Sequence, residues 1–456
     1  RSPVAHARIA SIDIDEARAA PRVLAVYTGA DLEAHTNNSI PCAIPLKNKD
    51  GSDRGNPKRP VLCTDRVRYV GDNVAFVVAE TLEQAKDAAE LVMVDYEDLE
   101  VVASTAGATR APAIYDDIPG NLCFDWEYGD AEQVARAFAN AAHTVKLELV
   151  NNRVVANSME PRAAVAEVDA ASGKLTLHIN TQGVWGHRDW IAKGILQTDP
   201  ANVRVLTPDV GGGFGMKIMF YAEQALVAFA ANQLKRPVKW RGERSDAFLS
   251  DAMGRDHLTT AELALDAEHR ILGLRVNTTA NLGAYLSLFA PFIPTGAALK
   301  VLSGIYDVKC AQYSVKGVLT NTTPVDAYRG AGRPESIYMI ERLIEAAARE
   351  LGVDRVELRR KNLIPSSAMP FTTAVGETYD SGEFEKVMDA GLQQADWAGF
   401  PERKAEAARR GKLRGIGMCY YIESTMGPTR EDAAVEFAAD GTVEVLVGTQ
   451  SNGQGH

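Results

Sequence analysis

At 456 residues, with 46% hydrophobic and 24% charged side chains, the chain has the balance of an ordinary globular protein, which excludes disorder and a collagen-like fibre, and a length that suggests about three domains. Its formal net charge of −11 argues against a general electrostatic grip on nucleic acid or anionic membrane, so any bound phosphate must be held locally. The longest apolar runs, such as Ala225 to Ala231, fall short of the roughly 20 residues a membrane-spanning helix needs. Cys42, Cys63, Cys123, Cys310 and Cys419 lie far apart with no C-x-x-C spacing, so they offer no iron–sulfur or zinc site. They read as small buried hydrophobes of a protein in a reducing cytoplasm.

In chain order, alternation from Arg1 to Ile9 without a charged leader predicts a chain that starts inside a longer protein. Strands are expected over 7–14, 23–27 and 74–78. Thr81 and Gln84 form a capping-box pair that opens a helix to about Val92, and another strand starts at Val94. This small unit ends near Val102. Residues 103–129, with Gly107, Pro112, Pro119 and Gly120, read as a linker. Asp130 and Gln133 then frame a helix over 134–142, followed by a strand over 145–150. Further strands are expected over 163–168, 175–179 and 203–206, and a pair over 258–265 and 272–276 around the turn at Asp266 to His269. Helices are expected over 221–234, over 334–351 with Gly352 as its stop, and over 354–362. The fold class is α+β: a small domain of residues 1–102, a linker 103–129, and a large mixed α/β region 130–456. The apolar run 443–447, followed by glycines and no closing element, predicts that this region continues past the last residue.

Chemistry concentrates in five strings. Asp209-Val210-Gly211-Gly212-Gly213-Phe214-Gly215-Met216-Lys217 sits between a strand and a helix, an order that puts free N–H groups at a helix N-terminus for an anion. Met216 stands where a dinucleotide fingerprint or a Walker A loop needs glycine, which removes both. A tightly packed turn is the plain structural alternative. Tyr328-Arg329-Gly330-Ala331-Gly332-Arg333 leads into a helix and carries arginines that can fork onto carbonyl or phosphate oxygens, or that are merely solvated. The others are Met159-Glu160-Pro161-Arg162, Thr181-Gln182-Gly183 at a strand end, and Gly453-Gln454-Gly455-His456.

Together and in this order, these strings resemble the molybdopterin-binding large subunit of the molybdenum hydroxylases, which include xanthine dehydrogenase, aldehyde oxidoreductase, aerobic carbon monoxide dehydrogenase and bacterial N-heterocycle dehydrogenases. The resemblance spans essentially the whole chain and implies an a/b hammerhead domain over 1–102, followed by the first half of the molybdopterin-binding region. It implies that Gln182 hydrogen-bonds an oxygen ligand of molybdenum and that Gly212, Gly213, Phe214 and Gly215 lie beside the metal. Arg329, Gly330, Ala331 and Gly332 match the loop over the active site, with Gln182 and Arg329 as the catalytic candidates. Gly453, Gln454, Gly455 and His456 match the loop that contacts the pterin and its dinucleotide tail. No side chain ligates the metal directly, because in this family the dithiolene sulfurs of the cofactor hold it.

The departures from the family bear on substrate. Gly330 stands where carbon monoxide dehydrogenases have the cysteine that bridges copper. Ile218 and Ala331 stand where xanthine-type enzymes have a glutamate and a substrate-stacking aromatic. The expectation is therefore hydroxylation of an aromatic N-heterocycle or an aldehyde with a water-derived oxygen, rather than oxidation of carbon monoxide or xanthine. The family's catalytic glutamate is expected beyond His456. The implied cofactor is molybdenum–molybdopterin in its cytosine dinucleotide form, with [2Fe-2S] clusters on a small partner subunit and FAD on a medium one. The alternative is a cofactor-binding split subunit that turns over only with the second half of the molybdenum subunit. A nucleotide-binding NAD oxidoreductase is disfavoured by Met216. No nucleic acid partner and no membrane insertion are expected.

Overall fold

Strand Ala7–Asp13 lies between Arg66–Val67 and Met93–Asp98 in an antiparallel three-stranded sheet. The computed structural model, which describes residues 1–427 and 430–456, places a second pair, Val23–Thr28 with Ala75–Ala79, beside it. Helix Leu82–Glu90 opens where its cap dictates: Thr81 Oγ1 accepts from the Gln84 N–H at 3.3 Å and Gln84 Oε1 from the Thr81 N–H at 3.1 Å.

The stretch expected to be a linker is more ordered than its Gly and Pro content indicates. Two short 3-10 turns, Ala108–Arg110 and Pro119–Asn121, are tied by the buried Asn121 side chain. Its Nδ2 donates to the carbonyls of Ala108 (2.9 Å) and Pro112 (3.0 Å), and its Oδ1 accepts from the Ile114 N–H (2.8 Å). Leu122–Gly129 then forms the edge strand of a five-stranded sheet in the order Leu122–Gly129, Ala311–Val318, Ile271–Asn281, His257–Leu265, His143–Asn151.

Helix Arg333–Leu351 packs across the last two of these strands, burying Ile340, Leu343 and Ile344 with Leu263, Leu274 and Val276. It ends at Gly352, whose φ of +66° is the left-handed stop the sequence calls for. Helix Arg355–Asn362 follows, capped by Asp354, and its wholly buried Arg359 pairs with Glu341 at 3.0 Å.

A four-stranded sheet, Val203–Leu206, Leu175–Ile179, Ala163–Val168, Val238–Arg241, forms the second layer. Helix Ala222–Leu234 lies on it and is buried from Ala222 through Ala231, so it is apolar nearly all round, as a core helix must be. Val203–Leu206 and Leu175–Ile179 run parallel, so the segments after both strands leave the same end of the sheet.

Past helices Phe384–Gln394 and Phe400–Arg409, the chain ends in a hairpin of Ala433–Phe437 with Val443–Val447, exposed on both faces. Cys63, Cys123 and Cys310 are buried as expected, whereas Cys419 is exposed, because it lies on the irregular approach to this hairpin. Among the described residues no helix is long and apolar enough to cross a membrane.

Candidate functional site

The parallel strands Leu175–Ile179 and Val203–Leu206 deliver Thr181-Gln182-Gly183 and the glycine string side by side at their carboxyl ends, where open α/β sheets form ligand crevices. The Gln182 Oε1 accepts the Gly215 N–H at 2.8 Å, leaving its Nε2 without a partner among the described residues. Gly213 is glycine for a visible reason: a Cβ there would stand 2.4 Å from the Gln182 Oε1 and 2.5 Å from its Cδ. Phe214, 40% exposed, has a φ of +54° and turns its ring outward at the apex. The amides of Gly213 and Phe214 donate to nothing among the described residues.

One expectation is corrected. The glycine string does not run straight into a helix N-terminus: a 3-10 turn, Met216–Ile218, and three more residues separate it from helix Ala222–Leu234. An anion here meets loop amides rather than a helix end.

The other strings close on the same spot. The Arg329 N–H donates to the Phe214 carbonyl at 2.9 Å, which seats the Arg329–Gly332 loop against the glycine string. That loop is held from behind by Arg255, whose guanidinium donates to the carbonyls of Tyr328 (2.8 Å) and Arg329 (3.0 Å). The Arg329 side chain is exposed, with no hydrogen bond or ion pair among the described residues. Ala331 packs half-buried against the second core. From the far end of the chain, the Asn452 carbonyl accepts the Gly212 N–H at 3.1 Å, and Gln450 Nε2 donates to the Thr181 carbonyl at 2.6 Å. Gly453, Gln454, Gly455 and His456 follow these anchors as an exposed loop.

Sequence reasoning singled out Met159-Glu160-Pro161-Arg162 but gave its side chains no role. Arg162 is buried, 3.7 Å above the Tyr221 ring, and pairs with Glu223 (2.8 Å) and Asp251 (2.6 Å). It locks the strand Ala163–Val168 to the helix below the loops. Burial works against the charge on Glu223, but Arg162 outweighs it and holds the carboxyl far below its ordinary range. His187, also unforeseen, lies beneath Gly183, its Nδ1 2.8 Å from that carbonyl. Burial pushes its imidazole down to about 4 against the raising effect of neighbouring carbonyls.

Among the described residues, no group of three or more His, Cys, Asp or Glu side chains converges as metal ligands. The site offers hydrogen-bond donors instead: loop amides, the Gln182 Nε2 and the Arg329 guanidinium. That set fits an oxygen-rich, anionic group which brings its own metal ligands, and Gly213 leaves room for it where a Cβ would intrude.

Comparison with known proteins shows the family. Residues 114–363 and 390–456 match two family models for a molybdopterin cofactor-binding domain, and residues 1–100 match the aldehyde oxidase and xanthine dehydrogenase a/b hammerhead domain. The chain is 32% identical over its whole length to the nicotine 6-hydroxylase large subunit of Paenarthrobacter nicotinovorans, covering 56% of that protein. It is 33% identical over its whole length to the carbon monoxide dehydrogenase large chain of Hydrogenophaga pseudoflava, covering 59% of it. The crystal structure of quinoline 2-oxidoreductase from Pseudomonas putida 86 superposes with a TM-score of 0.93 at 32% identity, over all of this chain and 59% of that one. The chain thus spans between half and two thirds of the length of these relatives. With the family models covering most of its residues and a matching fold, the chain belongs to the molybdopterin-binding large-subunit family of the molybdenum hydroxylases.

Proposed function

We propose that this chain is the cofactor-cradling part of a hydroxylase that inserts a water-derived oxygen into a C–H bond of an aromatic N-heterocycle or an aldehyde. The observation that carries the reading is the hydrogen-bonded meeting of Gln182, the Gly212 to Gly215 loop, Arg329 and Asn452, from strings up to 270 residues apart in sequence. The bound molybdenum–molybdopterin cofactor, in its cytosine dinucleotide form, supplies the two-electron oxidation there.

The chain's own residues bind and orient. The Gln182 Oε1 is fixed by the Gly215 N–H, so its Nε2 is the free donor for an oxygen on the cofactor. The Gly213 and Phe214 amides and the loop Gly453 to His456 hold anionic parts of the cofactor. Arg329, at the rim, orients a polar atom of the substrate. The electrons leave for an iron–sulfur small subunit and an FAD-binding medium subunit, and the unpaired cysteines suit assembly in the cytoplasm.

Overall identity does not choose the substrate, since relatives named for nicotine and for carbon monoxide are equally similar. The site loop does: Gly330 has no thiol and Ala331 no ring, which favours a heterocycle or an aldehyde.

The test is elemental analysis of the assembled complex with release of the pterin nucleotide. About one equivalent of molybdenum and a cytosine nucleotide are expected. Less than about a tenth of an equivalent in active complex, or release of NAD or FAD alone from this subunit, overturns the proposal.

A further inference from the structure

The glycine string is held at its first glycine and at its last residue by one carboxylate. Glu160 Oε2 accepts the Gly211 N–H at 2.8 Å and a Lys217 Nζ hydrogen at 2.8 Å, so the first glycine and the last residue of the string meet on a single oxygen atom. The Glu160 N–H returns a bond to the Gly211 carbonyl at 3.2 Å. Lys217 is 1% exposed, and Glu160 is the one acidic side chain within ion-pair distance of its ammonium among the described residues. A buried ammonium without a partner is costly, so Lys217 commits the end of the string to wherever Glu160 stands.

The connection reaches the candidate catalytic amide. The Lys217 carbonyl accepts from Thr181 Oγ1 at 2.8 Å and from the Gln182 N–H at 3.3 Å, which ties the Gln182 backbone to the residue that Glu160 holds. The Gln182 Oε1 then takes the Gly215 N–H from the middle of the same string. Both the backbone of Gln182 and the far end of its side chain are therefore placed by a loop whose two ends share one carboxylate.

We infer that Glu160, through Lys217, is a positioning residue that aims the Gln182 amide into the crevice. The inference rests on the functional reading above and deepens it. Burial works to raise the Glu160 carboxyl, and the hydrogen bonds from Lys217 and Gly211 outweigh it and hold it ionised, as the brace requires.

The experiment uses the assembled complex with Glu160→Gln, Gln182→Ala and both together. Each single change is expected to lower kcat at least about tenfold while KM moves less than about twofold, and the double variant is expected to be no slower than Gln182→Ala alone, because Glu160 acts through that amide. Multiplicative losses, or a Glu160→Gln complex with unchanged kcat, overturn the inference.

Hydrogen exchange of the segment 211–218 is the second readout, and it needs no metal. Glu160→Gln is expected to speed it about tenfold or more, and unchanged exchange overturns the brace. Lys217→Met, which fills the buried volume and leaves a partly exposed carboxylate, carries the same expectation should Glu160→Gln fail to fold. Absence of molybdenum from the wild-type complex, with these variants still loosening the loop relative to it, defeats the functional reading but not the brace.

Discussion

The Gln182 amide divides its two ends: the oxygen serves the protein by holding Gly215, and the nitrogen is left for a ligand. Truncation to alanine removes one neutral hydrogen bond from a half-buried position, about 1 kcal/mol, which a chain of this size absorbs. Gln182→Ala is therefore expected to lower turnover of the assembled complex about 10- to 100-fold with little change in melting temperature. A collapse of the melting temperature with intact turnover per folded molecule makes it a structural turn residue instead.

His187, buried against the Gly183 carbonyl, offers a pH signature. Its imidazole titrates near 6.5 when unfolded and at about 4 in the fold, so the unfolded chain binds the extra proton first as the pH drops. The stabilisation it gives as a neutral ring is complete above about pH 6.5 and drains away between about 6.5 and 4, amounting to about 3 kcal/mol at most. Denaturant unfolding at pH 7 and pH 5 is expected to show a smaller acid loss for His187→Phe than for the unaltered chain. An identical acid loss in both means that His187 is not held neutral.

At the scale of elements, the loop Tyr328 to Arg333 shows why substrate class is not switched by one side chain. Gly330 has a φ of +89°, and a Cβ there would stand 2.7 Å from the Pro334 Cγ and 2.8 Å from its Cδ, at the first turn of helix Arg333–Leu351. A cysteine has to strain the backbone or push the ring aside, a cost of about 1–3 kcal/mol, and a two-metal site needs a supporting shell that one substitution does not bring. Gly330→Cys is expected to give a complex without copper and without carbon monoxide oxidation. A variant that carries copper and turns over carbon monoxide shows that the loop alone sets the chemistry.

The elements legible in the sequence were those whose signals are local. Thr81 with Gln84, Asp354, and Gly352 each mark a helix boundary through a bond or dihedral within a few residues, and the structure places those boundaries there. Leu122–Gly129 was hidden because the Pro- and Gly-rich approach masks it and its pairing partner, Ala311–Val318, lies nearly 190 residues away. The same distance effect hid the site's supports. Glu160 and Lys217, or Arg162 with Glu223 and Asp251, show no periodicity or spacing that links them before folding does. The candidate residues themselves were readable only as five strings in a fixed order, which is a family pattern rather than a physical derivation.

At the scale of the whole molecule, the terminal hairpin sets the last expectation. Val435, Phe437, Val443, Val445 and Val447 are all more than half exposed, and Phe437 reaches 81%. A two-stranded hairpin is marginal on its own in water, and five apolar side chains left half open forgo on the order of 5 kcal/mol of burial, comparable with the net stability of a domain. The hairpin nonetheless feeds the crevice: it leads directly into Gln450 and Asn452, which pin Thr181 and Gly212. A crevice anchored through an uncovered hairpin opens easily unless another surface packs on that hairpin, and the chain spans only 56–59% of the length of the relatives it matches. The 456-residue chain expressed alone is therefore expected to be insoluble or free of cofactor, and to take up cofactor only when a partner surface covers the hairpin. Dehydrogenase activity with an artificial electron acceptor from the purified 456-residue chain by itself shows instead that the uncovered hairpin holds the crevice well enough and that no further polypeptide takes part in the chemistry.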